Sequence, residues 1–527
     1  MKKVFLWVNI VLIVTITLVG SNDSYAEKMN NKALRIGLLS KYHAIHSLTM
    51  HNQAINMGYV LDDEFVSEHV FMSNDGYTIK PATNTYLVSQ DVQPSYIAVT
   101  PFVNALKADG YKAYGGTIGK GVWKVYVEVA DDNEAKIAAH KIKAKHTLTL
   151  DTVGDNGYRT LMTFSGTGII MENANEHPQF LSMDQTEVPV IDLGDRQYRG
   201  RMEIGRYGNS GVSAVNVIGL NDYLYGVVPS EMPSSWPIEA LKAQAVAVRN
   251  FAIYHSEIIP KYKNKPYVLC DTQNSQAYKG FGHEYPSTNR AVNETTNRMV
   301  YYNNRVVPTF YFSTSGGHTE NSENVWSGTI PYLKGIPDLY ELEPYKEPWI
   351  KELTARDIED KLAGYDVHIG QIVDVIPRDY TKAGRVMDLC IVGTKGEHIL
   401  KKETMRTWLG LHSRKFEVVR DKDVLRHAFS VQGIGGVSEQ EKDGLYVVDA
   451  SGQPRQLSVN TEQTIVISQD NINSIPSIQG KKDTYFFVGQ GNGHGVGMSQ
   501  SGAKCMAGVG FAYDEILKYY YRDIEVR

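Results

Sequence analysis

The stretch that decides the fold is PSEMPSSWPIEALKAQAVAVRN, which runs from Pro229 to Asn250. Pro237 suits the first turn of a helix, and Ser235 is close enough to cap that helix. The apolar side chains that follow recur at helical spacing along one face: Ile238, Leu241, Ala245, Val248 and Ala252. Outside this stripe lie Lys242, Gln244 and Arg249. The stretch therefore predicts a proline-rich turn followed by a helix.

Glu231 lies just before that turn, where a strand-like run, NDYLYGVVPSEM, meets the helix. Its neighbours Met232, Pro233 and Trp236 would partly desolvate the carboxyl group. Desolvation raises the pKa of a carboxylic acid and keeps it protonated for general-acid catalysis. The chain has 59 acidic residues, and most such glutamates are solvated or cap helices. The pattern marks Glu231 as a candidate acid and leaves the structural interpretation open.

A second stretch, GNGHGVGMSQSGAK from Gly491 to Lys504, is rich enough in glycine to form a turn. It is not a dinucleotide loop, because Val496 stands where GxGxxG needs its last glycine, and the chain has no P-loop motif. Ser501 to Lys504 matches the S-x-x-K of penicillin-binding proteins, but those enzymes place it first and K-T-G last. No G-x-S-x-G elbow is present either, so serine acyl transfer is not expected.

The composition excludes some partners. A net charge of −5 over 527 residues lacks the basic footprint of a nucleic-acid-binding protein. The three cysteines, at 270, 390 and 505, cannot form a disulfide framework. A metal site could draw on the following residues, no two of which have ligand spacing on one element: Cys270, Asp271, His283, His318 and His494.

Residues 1–26 are typical of an export signal, with a basic start, an apolar run and a small-x-small cleavage site. The alternative is a retained membrane anchor, for which the apolar run is somewhat short. Either interpretation places the rest of the chain outside the cytoplasm, secreted or associated with the cell wall or membrane.

The remainder predicts an α+β protein of several domains. A strand is expected at Leu34 to Leu39, and a helix ending at Gly110 precedes a strand and an Asp-capped helix within residues 95–145. This order of elements resembles the SPOR-type peptidoglycan-binding repeat, with a plain accessory fold as the alternative for residues 33–148. Residues 343–482 predict a β-rich lobe, with turns at Lys395-Gly396 and Ser451-Gly452. A tyrosine-rich helix is expected at residues 511–526 and is expected to serve the core, with a sugar platform as the alternative.

Several separated blocks, from about residue 186 to 527, resemble the stage II sporulation protein D (SpoIID/LytB) family. They are YRGRMEI (198–204), NDYLYGVVPSEMPSSWPIEALKAQAVAVRNFA (221–252), CDTQNSQAYKG (270–280), TFYFSTSGGHTENSENVW (309–326), MRTWLGLHS (405–413) and GNGHGVGMSQSGAKCMAGVGFAYDEILKYYY (491–521). The resemblance implies a multi-lobed SpoIID-type catalytic domain with a β-rich insertion, preceded by a small α/β module.

Enzymes of this family are lytic transglycosylases, which cleave the MurNAc–GlcNAc bond of peptidoglycan strands that lack stem peptides. The resemblance makes Glu231 the catalytic acid and implies a 1,6-anhydroMurNAc product. It also assigns substrate contacts to Lys242, Gln244, Arg249, Ser313, Ser315, His494, Ser499 and Gln500. The glycines at 491, 493, 495 and 497 would let backbone approach the sugar rings, and the alternative is that they serve turn geometry alone.

The chain departs from the family at one point. Some members bind zinc through a histidine before the CDT cysteine and a His-Cys pair after it, whereas this chain has Asn264, Asn274 and Ser275 at those places. No metal and no other cofactor are therefore predicted, and Cys270 is interpreted as a small buried residue. LytB-type members modify amidases, so a glycan-binding protein that modulates an N-acetylmuramoyl-L-alanine amidase is the second hypothesis.

Overall fold

The computed structural model describes residues 32–173, 176–208, 211–341, 348–420 and 483–527, and only the backbone of six short strands between 421 and 482. The predicted export signal lies outside these residues. Among the described residues, no helix is both long enough and apolar enough to cross a membrane. The chain divides into two compact units, one formed by residues up to Pro308 together with Val526 and Arg527, the other by Thr309–Glu525. Both units contain helices and strands, which confirms the α+β class.

Two large sheets form the frame of the first unit. Its strands in chain order are β1 (Ala33–Gly37), β2 (Leu48–Met50), β3 (Ala54–Leu61), β4 (Glu64–Met72), β5 (Tyr77–Pro81), β6 (Thr85–Ser89), β7 (Ala113–Gly119), β8 (Val122–Val129), β9 (Leu150–Val153), β10 (Thr160–Phe164), β11 (Thr167–Met171), β12 (Gln179–Ser182), β13 (Ile191–Asp192), β14 (Gln197–Tyr198), β15 (Arg201–Gly205), β16 (Ser213–Gly219), β17 (Leu269–Cys270), β18 (Val300–Tyr302) and β19 (Arg305–Val306). One sheet has the order β17-β1-β16-β15-β12-β3-β4, and the other has the order β2-β5-β10-β11-β7-β8-β6-β9. The predicted opening strand is β1, which pairs antiparallel with β16 and parallel with β17.

The second of these sheets contains a β-α-β-β-α-β unit. Helices α1 (Tyr96–Ala108) and α2 (Asp132–His146) connect β6 to β7 and β8 to β9. Neighbouring strands in the order β7-β8-β6-β9 are antiparallel, which is the split β-α-β arrangement. Asp131 caps α2 as predicted, and α1 ends just before Gly110. Strands β10 and β11, beyond residue 148, continue the same sheet.

Three α-helices lie between β16 and β18: α3 (Leu220–Glu231), α4 (Ile238–Ile253), which continues as a π-helical turn (Tyr254–Ile258), and α5 (Pro286–Glu294), which follows a 3-10 turn (Phe281–His283). The expectation of a strand-like run before Glu231 is wrong, because that run is α3. Its buried residues recur at the three- and four-residue spacing of a helix: Leu220, Tyr223, Leu224, Val227 and Val228. Burial on that face decides the structure although the segment is rich in valine and tyrosine.

Helix α4 confirms the predicted helix and corrects two details. Ser235 does not cap it, since no side chain bonds to the N-terminus at Pro237, and backbone bonds from Trp236 to Pro233 and from Ala240 to Pro237 close the turn instead. Nor is there a single apolar stripe, because almost every residue from Ala240 onward is buried. Neighbours therefore cover α4 on nearly all sides.

Smaller sheets build the second unit. Its strands are β20 (Tyr311–Phe312), β21 (Trp349–Thr354), β22 (Ile372–Tyr380), β23 (Val386–Gly393), β24 (Gly396–Lys401), β25 (Phe416–Arg420), β26 (Ala428–Gly433), β27 (Gly436–Glu441), β28 (Tyr446–Val448), β29 (Pro454–Gln456), β30 (Gln463–Ile467), β31 (Ile472–Pro476), β32 (Thr484–Gly489) and β33 (Met498–Ser499). Its helices are α6 (Ser322–Val325), α7 (Ala355–Ala363), α8 (Glu403–Leu409), α9 (Gln500–Gly508) and α10 (Tyr513–Tyr520), and β34 (Glu525–Val526) follows them. The three-stranded sheets are β21-β32-β25 and β22-β23-β24.

The structure tests several local predictions in the second unit. The predicted turn at Lys395-Gly396 closes the β23–β24 hairpin, whereas Ser451-Gly452 lies outside the described residues. Tyr520 and the following Tyr521 are buried, which confirms a core role for the last helix.

Candidate active site

Glu231 is the last residue of α3. Met232 leaves the helix with extended backbone angles, φ −127° and ψ 138°, because Pro233 disfavours the helical conformation of the residue before it. The C-terminal end of a helix carries a negative partial charge that disfavours an anion there. Glu231 is half-buried at this end of the helix.

The loop 270–278 provides a bond to this carboxyl group. The backbone N–H of Ala277 donates to Oε1 of Glu231 at 3.0 Å. The preceding side chain, Gln276, accepts from the Tyr223 hydroxyl at 3.2 Å and donates to the Val248 carbonyl at 3.3 Å. Burial and the charge of Glu231 raise the pKa of Tyr223 well above 10, so its hydroxyl remains a donor. Gln276 thus joins α3, α4 and the loop.

Tyr278 anchors the end of this loop. Its ring packs on Tyr223 with centroids 5.0 Å apart, and its hydroxyl donates to Asn216 of β16 at 2.8 Å. Gly226 on α3 makes this approach possible, since a Cβ there would lie 2.6 Å from the Tyr278 ring. A small residue on the helix therefore lets the loop pack directly against it.

Lys242 and Gln244 lie on α4 in different environments. Lys242 forms ion pairs with Glu239 at 2.8 Å and with Glu294 at 2.7 Å, and these pairs outweigh burial to raise the pKa of its ammonium. Gln244 is fully buried, and neither of its amide atoms has a hydrogen-bond partner among the residues that the structure describes. A buried amide without partners is destabilising and is the kind of group that a bound ligand satisfies.

Arg249 is also fully buried. Its guanidinium donates to the backbone carbonyls of Thr295 at 2.7 Å and of Val292 and Arg298 at 3.3 Å, and to the Asn221 side chain at 3.3 Å. These bonds tie α4 to the end of α5. In this structure Arg249 stabilises the packing of these helices, and its contact with substrate stays a prediction.

In the second unit, all four alternating glycines of the loop 491–497 have φ between 73° and 109°. Added Cβ atoms would meet protein atoms at close range, 2.1 Å from the Phe310 carbonyl oxygen at Gly497 and 2.7 Å from the Arg385 guanidinium at Gly495. These conformations and contacts are sufficient reason for glycine, so the turn-geometry interpretation accounts for them without a ligand.

His494 is half-buried in this loop, between the rings of Phe312 and Trp326 at 5.6 and 5.3 Å. Burial lowers the pKa of His494 to about 4, against the opposing charge of Glu403. The Val496 N–H donates to Nδ1 at 3.0 Å, so the neutral ring carries its proton on Nε2. His494 is therefore a neutral hydrogen-bond donor at physiological pH.

Two of the predicted serines of this unit, Ser315 and Ser499, converge on a carboxylate that the sequence did not reveal. Glu341 is fully buried and accepts from the hydroxyls of Ser499 at 2.9 Å and Ser501 at 2.7 Å. It also accepts from the backbone N–H groups of Ser315 and Gly316, both at 2.6 Å. The structure thus brings Ser315 and Ser499 together. Through Glu341 they hold two loop segments in place. Sequence reasoning missed Glu341, because no motif in the sequence distinguishes it from the other acidic residues.

Ser313 and Gln500 complete the predicted set. Ser313 is exposed and its carbonyl accepts from the Ser501 backbone at 3.0 Å, whereas Gln500 is buried in the first turn of α9. Of the predicted residues in this unit, Ser313 and His494 therefore have accessible side chains.

Asp338 lies beside this cluster and is almost fully buried. Burial and the charge of Glu341 raise the pKa of Asp338 to about 6, although Tyr520 donates to it at 3.0 Å. The folded protein therefore binds this proton more tightly than the unfolded chain does. Because the pKa of Asp338 is higher in the folded protein, the free energy of unfolding decreases as the pH rises from about 4 to about 6.

The groups around Cys270 do not fit a zinc site. Its Sγ is within 3.5 Å of the hydroxyls of Tyr262, Thr272 and Ser275, whereas zinc prefers thiolate, imidazole and carboxylate ligands. Within the ranges that the structure describes, no cluster of three or more His, Cys, Asp or Glu side chains could hold a metal ion. The absence of zinc remains a prediction that chelation can test.

We expect Asp338→Asn to gain stability relative to the unmodified protein as the pH rises from 4 to 7, by on the order of 2 to 3 kcal/mol. Asparagine keeps the acceptor for Tyr520 but has no proton to lose. Urea unfolding across this pH range measures the difference, with the fully exposed Asp366→Asn as control. A constant difference between Asp338→Asn and the unmodified protein would contradict the account of this cluster.

The sequence around this site matches known proteins. The family model described as stage II sporulation protein matches residues 208–302, which include Glu231 and the loop that bonds to it. The stage II sporulation protein D of Bacillus amyloliquefaciens is 30% identical over 332 residues, covering 59% of this chain and 75% of that protein. The corresponding protein of Bacillus subtilis is 29% identical over 330 residues, covering 59% and 76%.

A third relative is the amidase enhancer of Bacillus subtilis, which is 30% identical over 313 residues. The match covers 56% of this chain but only 39% of that protein. The chain belongs to the stage II sporulation protein D family.

Proposed function

We propose that this protein is an exported peptidoglycan lytic transglycosylase that cleaves MurNAc–GlcNAc bonds of glycan strands lacking stem peptides. Membership of the family supports a role at the cell wall. The observation that carries the proposal is the environment of Glu231, which is half-buried at a helix C-terminus with Oε1 bonded to the Ala277 N–H. This environment suits a carboxylic acid that must hold a proton and then release it.

The proposed reaction requires one carboxyl group. Glu231 donates its proton to the glycosidic oxygen as the bond from that oxygen to C1 of MurNAc breaks. The C6 hydroxyl of the same MurNAc then forms a bond to C1, and the Glu231 carboxylate takes the hydroxyl proton. The product is a 1,6-anhydro sugar, and the acid is restored. Glycosidases that add water need a second carboxyl group, whereas here the substrate supplies its own nucleophile.

The Ala277 N–H has a specific part in this cycle. It donates to Oε1, which remains an acceptor in both protonation states when the transferred proton is carried on Oε2. The same bond stabilises the carboxylate that forms when the proton leaves. A fixed carboxyl orientation also keeps the proton in line with the bond that breaks.

The predicted substrate contacts divide by accessibility. Among the proposed binding residues, Lys242, Ser313 and His494 are at least partly accessible, and each is assigned a direct contact with sugar hydroxyl, acetamide or carboxylate groups. The buried members are Gln244, Arg249, Ser315, Ser499 and Gln500. For Ser315 and Ser499 the proposal is that they act by holding the backbone around them.

A second candidate function is modulation of a cell-wall amidase by a protein that binds glycan without cleaving it. The relative named amidase enhancer favours this alternative, although the match covers a minority of that protein. Under this proposal Glu231 would only bind the sugar, and an N-acetylmuramoyl-L-alanine amidase would be the partner. The two functions differ in whether the purified protein alone shortens glycan strands.

We expect Glu231→Gln to abolish the release of sugars from peptidoglycan that an amidase has stripped of stem peptides. Glutamine keeps the shape and the acceptor for Ala277 but cannot cycle a proton. Glu64→Gln is the matched control, because it removes an exposed carboxylate from the same unit and away from the proposed contacts. Mass analysis of the soluble products measures both variants. Cleavage at the unmodified rate by Glu231→Gln would refute the enzymatic proposal and favour the amidase modulator.

Export through residues 1–26 is part of the proposal, because the substrate lies outside the cytoplasm. Fractionation of the producing cells checks the export proposal: a cytoplasmic protein would contradict it.

The β6–β9 unit is proposed as a second, SPOR-like glycan contact, which its order of elements supports. An open cavity of about 540 Å³ adjoins this unit, lined in part by Lys107, Lys112 and Tyr114.

We expect the double variant Lys107→Glu and Lys112→Glu to bind stripped sacculi less tightly, because the lactyl carboxylate of MurNAc is free after amidase treatment. The control reverses the charge of two exposed lysines on α2, Lys136 and Lys141. Sedimentation of the full-length variants with sacculi measures retention. Equal loss in both double variants, or no loss in either, would remove the glycan-contact role from this cavity.

A further inference from the structure

The loop that bonds to Glu231 begins at a thiol surrounded by hydroxyl groups. Cys270 is fully buried, and its Sγ lies 3.3 Å from the hydroxyls of Tyr262 and Thr272 and 3.5 Å from that of Ser275. Burial raises the pKa of the Cys270 thiol, but these hydrogen bonds outweigh burial and lower it overall. The pairing of β17 with β1 fixes the position of the cysteine at the sheet.

Ser275 closes this turn at two places. Its hydroxyl accepts from the Cys270 backbone N–H at 3.2 Å and also contacts Sγ. Its own backbone N–H donates to the Thr272 carbonyl at 2.9 Å. One side chain thus joins the start of the loop to its centre. The Tyr278 N–H also donates to the Asp271 carbonyl at 3.4 Å. Together these bonds restrict the conformation of the loop.

The next two residues after Ser275 bond to the two helices and to the candidate acid. Gln276 bonds to Tyr223 on α3 and to the Val248 carbonyl on α4, and Ala277 donates to Glu231. A shift of the turn at Ser275 therefore moves the Ala277 N–H directly, since only one residue separates them. Hydrogen-bond strength falls steeply with distance and angle, so a small shift is sufficient to remove the bond.

We propose that Ser275 is a positioning residue for Glu231, which sets the Ala277 N–H through the hydroxyl–thiol cluster at Cys270 and does so without a metal ion. This inference rests on the proposed function, because it assigns Ser275 a part in proton transfer by Glu231. Ser275 does not touch the reacting atoms. Its effect passes through the backbone of the loop to the carboxyl group.

The test compares Ser275→Ala with Ser256→Ala in the full-length protein. Ser256 is the matched control, because it is buried in the same unit and its hydroxyl bonds only locally, to the Ile253 carbonyl. Loss of the Ala277 bond would destabilise the Glu231 carboxylate, so the protonated acid would persist to higher pH. We expect Ser275→Ala to lower kcat about 10-fold with KM nearly unchanged, and to move the alkaline limb of the kcat profile upward by about half a pH unit or more.

Ser275→Thr retains the hydroxyl and should recover most of the activity and the original limb. A Ser275→Ala protein whose alkaline limb coincides with that of Ser256→Ala would overturn the proposal, whatever its stability. Loss of activity on treatment with a zinc chelator would also overturn it, because a metal would then hold the turn.

A spectroscopic arm separates this proposal from the proposed function. The carboxyl of Glu231 can be followed by ¹³C NMR in glutamate-labelled protein, with Glu231→Gln identifying its signal. If Glu231→Gln retains cleavage, the enzymatic proposal fails, yet an upward shift of the Glu231 titration in Ser275→Ala would still support positioning. If Glu231→Gln is inactive and the titration does not move in Ser275→Ala, the positioning proposal alone fails.

Discussion

The hydrogen bond from the Ala277 backbone to Glu231 is the interaction on which the candidate site depends. It requires α3 to end where Pro233 ends it and the loop 270–278 to approach that end closely. The missing side chain of Gly226 allows the approach, and Gln276 holds the loop against two helices. None of these features is chemically unusual alone. Together they orient a half-buried carboxyl group at the negatively polarised end of a helix, where the Ala277 N–H donates to it.

Local signals in the sequence predicted much of the fold. Strand β1, the cap at Asp131 and the helix after Pro237 were all readable from residues close together in the chain. The strand-like run before Glu231 was misread, because its residue types suit a strand and only tertiary packing makes it a helix. Burial of Gln244 and Arg249 was also beyond the sequence, since burial depends on tertiary packing; Arg249, for example, bonds to Val292 and Thr295 at the end of α5. Glu231 itself was found from its neighbours, but the Ala277 N–H that holds it belongs to the backbone and leaves no mark in the sequence.

The loops of the second unit show how a binding motif can have a structural explanation. The resemblance predicts sugar contacts for Ser313, Ser315 and Ser499, yet Ser315 and Ser499 bond to the buried Glu341. The alternating glycines likewise have conformations and contacts that exclude a Cβ. Of the predicted sugar contacts in these segments, His494, a neutral donor that accepts from the Val496 N–H, and the exposed Ser313 remain accessible. A buried carboxylate thus satisfies the polar groups of two loop segments.

The central claim is that the substrate's own C6 hydroxyl, and not water, attacks the sugar that Glu231 activates. The most direct measurement is mass analysis of the glycan ends produced by the purified protein in water enriched in ¹⁸O. The account predicts 1,6-anhydroMurNAc ends, each lighter by one water than a reducing end and free of ¹⁸O. Reducing ends that carry ¹⁸O would show hydrolysis and contradict the single-carboxyl mechanism.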